Sequence, residues 1–283
     1  MNNKRNKYKE EKEKKELLDK LINETLLANI KKYASNKRRP KYTDAYYLRY
    51  VMQILKTGMA WYNLEVDCHY TSIFKKFCLW SNLGIFRMTW KELSDNYIYQ
   101  QIAQNNDWFK NMIIDSSMIK NYKGIDCIGR NHYDRNRRAT KISIICDQNK
   151  VPVSVSLYEA NIHDVHTIEK SCENINKNIF IDKRRTLNII GDKGYIINDV
   201  HKKIIQKKFR INIITPYRKN QKKKNTKHEK TLLDTRYKVE HIFNDLDKFK
   251  YIKDRYNKFI RYYESFIYIS LISKYYYTLT QKT

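Results

Sequence analysis

Residues 187–195 read LNIIGDKGY, and this stretch decides the fold class. The apolar run LNII predicts a buried strand, because short apolar runs bounded by turn residues are typical of strands in parallel sheets. Two of the chain's six glycines, Gly191 and Gly194, bracket Asp192 and predict a sharp turn where the strand ends. Since α/β sheets place their sites at the carboxyl ends of strands, Asp192 is a candidate functional residue. The alternative is an ordinary strand–helix turn with an Asp cap.

The residues on both sides of this stretch alternate between strand and helix patterns. Strands are predicted at 111–119 (NMIIDSSMI), 141–147 (KISIICD), 151–158 (VPVSVSLY), 186–192 (TLNIIGD) and 211–216 (INIITP). Helices are predicted at 164–177 and 196–208, and one or two long helices at about 234–277. This is an α/β order of elements, compatible with a ribonuclease-H-like sheet. We therefore predict an α/β domain over residues 109–283.

The preceding residues 43–108 have helical patterns only. Thr43 or the next residue can cap a helix that ends at Gly58, and SIFKKFCLW predicts a second, amphipathic helix. Helix, turn and basic helix are the pattern of helix-turn-helix DNA readers. Lys75 and Lys76, at the start of the second helix, favour that interpretation over a plain helical bundle. We predict that this region is a helical DNA-binding domain.

Residues 1–42 are dense in charge. Leucines and isoleucines recur at helical spacing over residues 17–27, which predicts a short amphipathic helix, and a basic linker follows at Lys37–Lys41. The segment is either a basic arm that contacts DNA or a solvated helix with a tail. A role at a membrane surface is disfavoured because glutamates interrupt its basic face.

The composition points to a polyanionic partner. The chain of 283 residues has 57 Lys and Arg against 30 Asp and Glu, a formal net charge of +27. Nucleic acid or an acidic membrane surface would suit that charge, although codons rich in A and T can account for part of the lysine excess. No apolar stretch is long enough to span a bilayer.

Localisation is predicted from the same features. The N-terminus has no early apolar core of the kind found in secretory signals, and the five cysteines form no CxxC pair. We expect an intracellular, non-secreted protein without a membrane partner. It would lie in the nucleoid or cytoplasm of a bacterium, or in a nucleus or viral factory of a eukaryotic or viral source.

Three carboxylates are candidates for one site. Asp115 lies inside an apolar strand, where a carboxylate needs a cation or hydrogen-bond donors. Glu240 lies at the margin of the apolar face of a helix, one turn after Arg236, so a surface ion pair is an equal alternative there. Together with Asp192, these acids offer the oxygen ligands that Mg²⁺ prefers. Two such ions would serve phosphodiester chemistry.

Other motifs give weaker signals. Residues 124–131, GIDCIGRN, nearly match a phosphate-binding loop, but Arg130 and Asn131 replace its lysine and its serine or threonine. His163-Asp164-Val-His166 lacks a third soft ligand for a metal, so it is predicted to be a loop and helix cap.

Several motifs resemble those of insertion-sequence transposases with a DDE catalytic domain, in the group whose third motif is Tyr-x2-Arg-x3-Glu-x6-Lys. The resemblance covers residues 50–93 and the segments IIDSSMIK, GRNHYDRNRRATKISIICDQNKVPVSVSLYEANIHDV, IIGDKGY and RYKVEHIFNDLDKFKYIKDRYNKF, in that order. Arg236 matches the arginine of the third motif. Leu233 stands where the tyrosine is expected, and Asp247, next to Lys248, stands where the lysine is expected.

The resemblance implies a ribonuclease-H-like fold and a DNA transposase that cleaves and transfers strands at the terminal inverted repeats of its element. It implies that Asp115, Asp192 and Glu240 are catalytic and hold two Mg²⁺ ions, with Mn²⁺ as a substitute. It also implies a homodimer on double-stranded DNA, both transposon ends and target. The residues expected to contact DNA are Arg236, Lys248, Arg218, Lys222, Lys223, Lys224, Lys75 and Lys76. The alternative is a transposase-derived DNA-binding protein without catalytic activity, or a nuclease of the same fold.

Overall fold

The computed structural model describes residues 2–34, 41–104, 110–132, 134–175, 186–218 and 224–280. The chain forms two units. The first is helical and comprises the described parts of Met1–Leu93, Lys248–Ile252 and Arg261–Thr283. The second comprises those of Ser94–Asp247 and Lys253–Ile260, and it contains the sheet.

The helical unit contains four long segments of helix from the first third of the chain and one from its end. They are α1 (Asn2–Tyr33), α2 (Asp44–Thr57), α3 (Tyr70–Asn82), the first part of α4 (Ile85–Ala103) and most of α10 (Ile260–Thr280). The predicted bounds of α2 are confirmed: the Thr43 side chain caps its first turn, and Gly58 ends it in the left-handed conformation at φ 71°. The predicted short N-terminal helix is longer than expected, 32 residues.

An aromatic core holds this unit together. Phe77 and Phe266 are buried and their rings stack at 4.5 Å, and Trp61 lies against both. Trp80 is fully buried, so Trp61 and Trp80 both serve packing in this unit. The position of Phe266 also places the last helix in the helical unit rather than with the α/β residues among which its sequence position had put it.

The second unit is built on a mixed seven-stranded sheet. Its strands are β1 (Asn111–Asn121), β2 (Gly129–Asn131), β3 (Arg137–Cys146), β4 (Pro152–Glu159), β5 (Leu187–Ile190), β6 (Ile211–Ile214) and β7 (Asp254–Arg255). The order is β2-β3-β1-β5-β6, with β4 paired to β3 and β7 paired to β1. The hairpin partners β1, β3 and β4 are antiparallel, whereas β1, β5 and β6 are parallel.

The five predicted strands are confirmed because each carries its own apolar pattern. The connecting helices are α5 (Ile168–Glu173), after a 3-10 turn at Asp164–Thr167, α6 (Asp199–Phe209), α7 (Lys227–Leu233), α8 (Tyr237–Leu246) and α9 (Lys250–Lys253). The predicted helix at 164–177 is thus split, and its last two residues lie outside the described part of the chain. The long helical region predicted at 234–277 is interrupted by β7.

The interruption at β7 has a physical cause in Arg255. This side chain is fully buried, and its guanidinium donates to the Asp126 carbonyl and carboxylate and to Thr140 Oγ1. A buried guanidinium is stable only with such partners. They lie more than a hundred residues away along the chain, so local periodicity could not predict the break.

Candidate active site

Asp115 and Asp192 come from neighbouring parallel strands of the sheet. Ile113 of β1 is paired with Ile190 of β5, and each acid stands two residues beyond its isoleucine. The two predicted acids therefore meet at the carboxyl end of the parallel pair, the edge at which α/β sheets place their sites. Both side chains are partly buried.

The chain turns sharply at Asp192, as its two glycines predicted. The Asp192 carboxylate accepts a hydrogen bond of 2.7 Å from the backbone N–H of Gly194 and caps a short 3-10 turn, Lys193–Tyr195. A side chain at position 194 would place its Cβ 2.9 Å from Oδ1 of Asp192 and 2.9 Å from Oδ2 of Asp164. Any larger residue there would force one of the two carboxylates to move, because both approach the Gly194 backbone closely.

Asp115 lies in an environment that disfavours its charge. Burial raises the pKa of this carboxyl to about 6, and the negative charges of Asp192 and Asp164 act in the same direction. The backbone N–H of Ser116, which donates to Asp115 Oδ1 at 2.8 Å, and the positive charge of Arg236 oppose the rise in pKa. The site is thus a cluster of carboxylates that is short of positive charge.

Arg236 is the cation that the structure brings to Asp115. It is the first residue of the turn that opens α8, a helix that packs on β1 and β3. Its Nε is buried and makes no hydrogen bond to any other described residue. A buried guanidinium nitrogen without a partner, beside a carboxylate cluster, is suited to an anionic group from outside the chain, such as a phosphate.

Glu240 is placed differently from the two aspartates. It lies one turn after Arg236 in the first part of α8 and is exposed. Among the described residues, no three His, Cys, Asp or Glu side chains lie close enough together to hold one metal ion. The structure therefore brings Asp115, Asp192 and Arg236 together, and it does not bring Glu240 into a ligand cluster with the aspartates.

Sequence reasoning missed a third aspartate in this region. Asp164 was predicted to be part of a loop and helix cap. It is the first residue of the 3-10 turn at Asp164–Thr167, but its side chain does not cap that turn. Its Oδ1 also accepts hydrogen bonds of 2.7 Å from Ser116 Oγ and from Lys141 Nζ. The only signal in the sequence was an acid between two histidines in the segment NIHDVH. The partners of this acid depend on the sheet register, which the sequence pattern does not give.

The residues predicted to contact DNA are mostly exposed. Lys75, Arg218, Lys224 and Lys248 are exposed, whereas Lys222 and Lys223 lie outside the described residues. Lys76 is half-buried and forms an ion pair of 3.3 Å with Asp44. Its positive charge is therefore partly neutralised within the chain.

The donor set fits a divalent cation at Asp115 and Asp192. Carboxylate oxygens are the ligands of Mg²⁺ and Mn²⁺ in proteins. A cation between these two groups would offset the repulsion that, together with burial, raises the pKa of Asp115.

No described helix is long and apolar enough to cross a membrane.

The mixed sheet and its connecting helices define a class, the proteins with a ribonuclease-H-like fold. The sequence model of the transposase DDE domain matches residues 111–273. This match spans more than half of the chain and every strand described above, so the chain belongs to the family of transposase DDE domains. The predicted family resemblance is confirmed at this level. No curated protein is similar enough in sequence to be matched.

A solved structure supports the fold. The piggyBac transposase in its synaptic complex with hairpin DNA superposes with a TM-score of 0.54 at 12% sequence identity, covering 93% of this chain and 75% of that one. The predicted ribonuclease-H-like α/β fold is thereby confirmed. The catalytic domain of Mos1 mariner transposase is a more distant match, with a TM-score of 0.28 and 10% identity over 57% of this chain and 88% of that one.

Proposed function

We propose that the chain is the DNA transposase of an insertion sequence, in the group with the Tyr-Arg-Glu-Lys third motif. It would cleave DNA strands at the terminal inverted repeats of its element and join the freed 3′-hydroxyls to target DNA. The observation that carries this proposal is the meeting of Asp115 and Asp192 at the ends of paired parallel strands, beside Arg236, inside a transposase DDE domain.

The two aspartates would hold divalent cations, and Glu240 would join them in the DNA-bound protein. Two Mg²⁺ ions, or Mn²⁺ in their place, would activate the attacking hydroxyl and stabilise the leaving oxygen when bound. The residues of the chain orient these groups: Ser116 N–H holds one oxygen of Asp115, and Gly194 N–H holds one oxygen of Asp192. Arg236 would bind the phosphate oxygen that approaches Asp115.

DNA would be held by the basic residues outside the acidic cluster. The helices of residues 43–108 would read the terminal repeats in helix-turn-helix fashion. Lys75 is exposed for contact with DNA, and Lys76 would contact DNA only if its ion pair with Asp44 opens. The basic arm of residues 1–42, Arg218, Lys222–Lys224 and Lys248 would contact phosphates. Pairing of two transposon ends requires at least a homodimer. Because the DNA substrate is inside the cell, we place the protein there, without a membrane partner.

The test uses Asp192→Asn. The amide keeps an oxygen for the Gly194 N–H and so keeps the turn, but it removes a carboxylate from the proposed metal site. We expect cleavage of a duplex that carries the element's end to fall to background, while DNA affinity in the same buffer stays that of the wild type. Asp199→Asn, an exposed acid in the first turn of α6, is the matched control and should cleave normally.

Two other outcomes would contradict this assignment. If Asp192→Asn cuts at the wild-type rate, Asp192 is not part of the catalytic machinery. If the wild type itself binds the duplex and does not cut it in Mg²⁺ or Mn²⁺, the transposase-derived DNA-binding protein becomes the correct assignment.

A further inference from the structure

We propose that Asp164 is a positioning residue that braces Asp115 and Asp192 from the opposite face of the sheet. This inference rests on the proposed function, since it concerns the same two acids. It assigns a role to the acid of the NIHDVH segment that neither its place at the start of a 3-10 turn nor the paired-acid site explains.

The sheet register separates Asp164 from the face that carries Asp115. Asp115 is opposite Ile144, and Ser116 is opposite Ser143. Lys141 lies on the same strand as Ser143, two residues before it. Side chains alternate between faces along a strand, and directly opposed residues share a face. Ser116 and Lys141 therefore share one face, and Asp115 lies on the other.

Asp164 binds the Ser116 face at two points. Its Oδ1 accepts from Ser116 Oγ and from Lys141 Nζ, both at 2.7 Å. Lys141 is almost fully buried, and its Nζ also donates to the Ile162 carbonyl at 2.6 Å. A buried ammonium held by a carboxylate and a carbonyl has little freedom, so the position of Asp164 is fixed by the interior of the sheet.

The link from Asp164 to Asp115 is one residue long. Ser116, whose hydroxyl is held by Asp164, donates its backbone N–H to Asp115 Oδ1 at 2.8 Å. Rotation of the Ser116 peptide would move the donor that orients the Asp115 carboxylate. The bond to Asp164 opposes this rotation.

The link from Asp164 to Asp192 passes through Gly194. The second oxygen of Asp164 and Oδ1 of Asp192 flank the Gly194 backbone, each 2.9 Å from the place of an added Cβ. The Asp192 turn is therefore packed directly on Asp164. One carboxylate thus supports both strand ends, which sets the spacing of the two acids that would share a cation.

The buried ring of Tyr195 closes the same region. It follows Gly194, is fully buried, and lies near Asp164 and Asp115, whose charges add to burial in raising the pKa of its hydroxyl. The phenol therefore stays neutral at physiological pH. Lys141 is almost fully buried in the ion pair that holds Asp164, whereas the Asp164 side chain is 29% exposed.

The test measures metal binding by the protein alone. Orienting partners of metal ligands change affinity by about 10- to 100-fold when removed. We expect Ser116→Ala and Asp164→Asn each to weaken Mn²⁺ binding, followed by calorimetry or by the electron paramagnetic resonance signal of free Mn²⁺, by about tenfold. In cleavage assays the turnover number should fall while KM for DNA stays constant.

Two controls separate positioning from stability. Ser154→Ala removes a buried hydroxyl of the same sheet that donates to the Ser171 carbonyl at 2.8 Å and not to one of the three aspartates, and it should bind Mn²⁺ like the wild type. Asp164→Asn leaves Lys141 buried without its counter-charge and can unfold the chain. Ser116→Ala keeps that ion pair, so it decides the question if Asp164→Asn does not fold.

The outcomes distinguish this proposal from the proposed function. Wild-type Mn²⁺ affinity in Ser116→Ala, with binding lost in Asp192→Asn, would overturn the brace and leave the metal site standing. A wild type that binds no Mn²⁺ would overturn both. Equal losses in Ser116→Ala and Ser154→Ala would reduce the role of Asp164 to general stability and overturn positioning.

Discussion

Replacing Asp115 with asparagine should make the metal-free protein more stable while it removes a proposed catalytic group. Burial and the neighbouring carboxylates raise the pKa of Asp115 from its ordinary value of 3.8 to about 6. Each unit of pKa difference between folded and unfolded chains corresponds to roughly 1.4 kcal/mol. The ionised carboxylate therefore destabilises the native state by about 3 kcal/mol, as an upper limit.

The sign of the pH dependence follows from the raised pKa. Below about pH 4 the carboxyl is protonated in both states and has no such effect. Between about pH 4 and pH 6 the unfolded chain loses its proton first, so stability falls, and above pH 6 the full destabilisation is present. The stability gain in Asp115→Asn should accordingly be about 1 kcal/mol at pH 4.5 and largest at neutral pH.

The assay is urea denaturation in EDTA at pH 4.5 and pH 7.5, with the exposed Glu65→Gln as a matched acid-to-amide control. At pH 7.5, Asp115→Asn should unfold with a free energy up to about 3 kcal/mol above that of the wild type, and Glu65→Gln should not differ. Mn²⁺ at about 100 times its dissociation constant should restore about 2.7 kcal/mol to the wild type alone. A loss of stability in Asp115→Asn at neutral pH would refute the conclusion that burial and the neighbouring carboxylates destabilise the ionised form of Asp115.

Two further predictions concern the scaffold and the DNA surface. Arg255→Met should lower the free energy of unfolding by about 3 kcal/mol, because it leaves Asp126 and Thr140 without the buried guanidinium that holds β7 to the sheet; a decrease below about 0.5 kcal/mol in denaturant melts would contradict this role. Arg218→Gln combined with Lys224→Gln should lower the log–log salt slope of duplex binding by about 0.9 for each phosphate that the variant no longer neutralises. An unchanged slope in anisotropy titrations would mean that Arg218 and Lys224 do not contact DNA phosphates.

Sequence reasoning succeeded where a single segment carries its own pattern. The apolar runs around Asp115 and before Asp192 predicted both strands, and the two glycines predicted the turn. Thr43, one of the two residues predicted as the cap, and the stop at Gly58 bound α2. In each case, residues within one turn or one strand determine the local structure.

The rest depends on residues far apart along the chain. Lys141 and Asp164 lie 23 residues apart, and they meet because the β3–β4 hairpin returns the chain to the sheet. Arg255 reaches Asp126 over 129 residues. Periodicity contains no information on such pairs. The position of Glu240 could not be predicted either, because an amphipathic helix fixes which face is buried and not where its exposed margin points.

The central claim is that this chain breaks and rejoins DNA strands at the ends of its own element. The direct measurement starts from the genomic sequence that flanks the gene, where inverted repeats are expected. A duplex that ends in such a repeat carries a label on the strand whose 3′-hydroxyl would be joined to target DNA. It is incubated with the full chain, Mg²⁺ and a supercoiled plasmid. We expect the label to become covalently joined to the plasmid, and Asp192→Asn to abolish this joining. A duplex that is bound but neither cut nor joined would contradict the account.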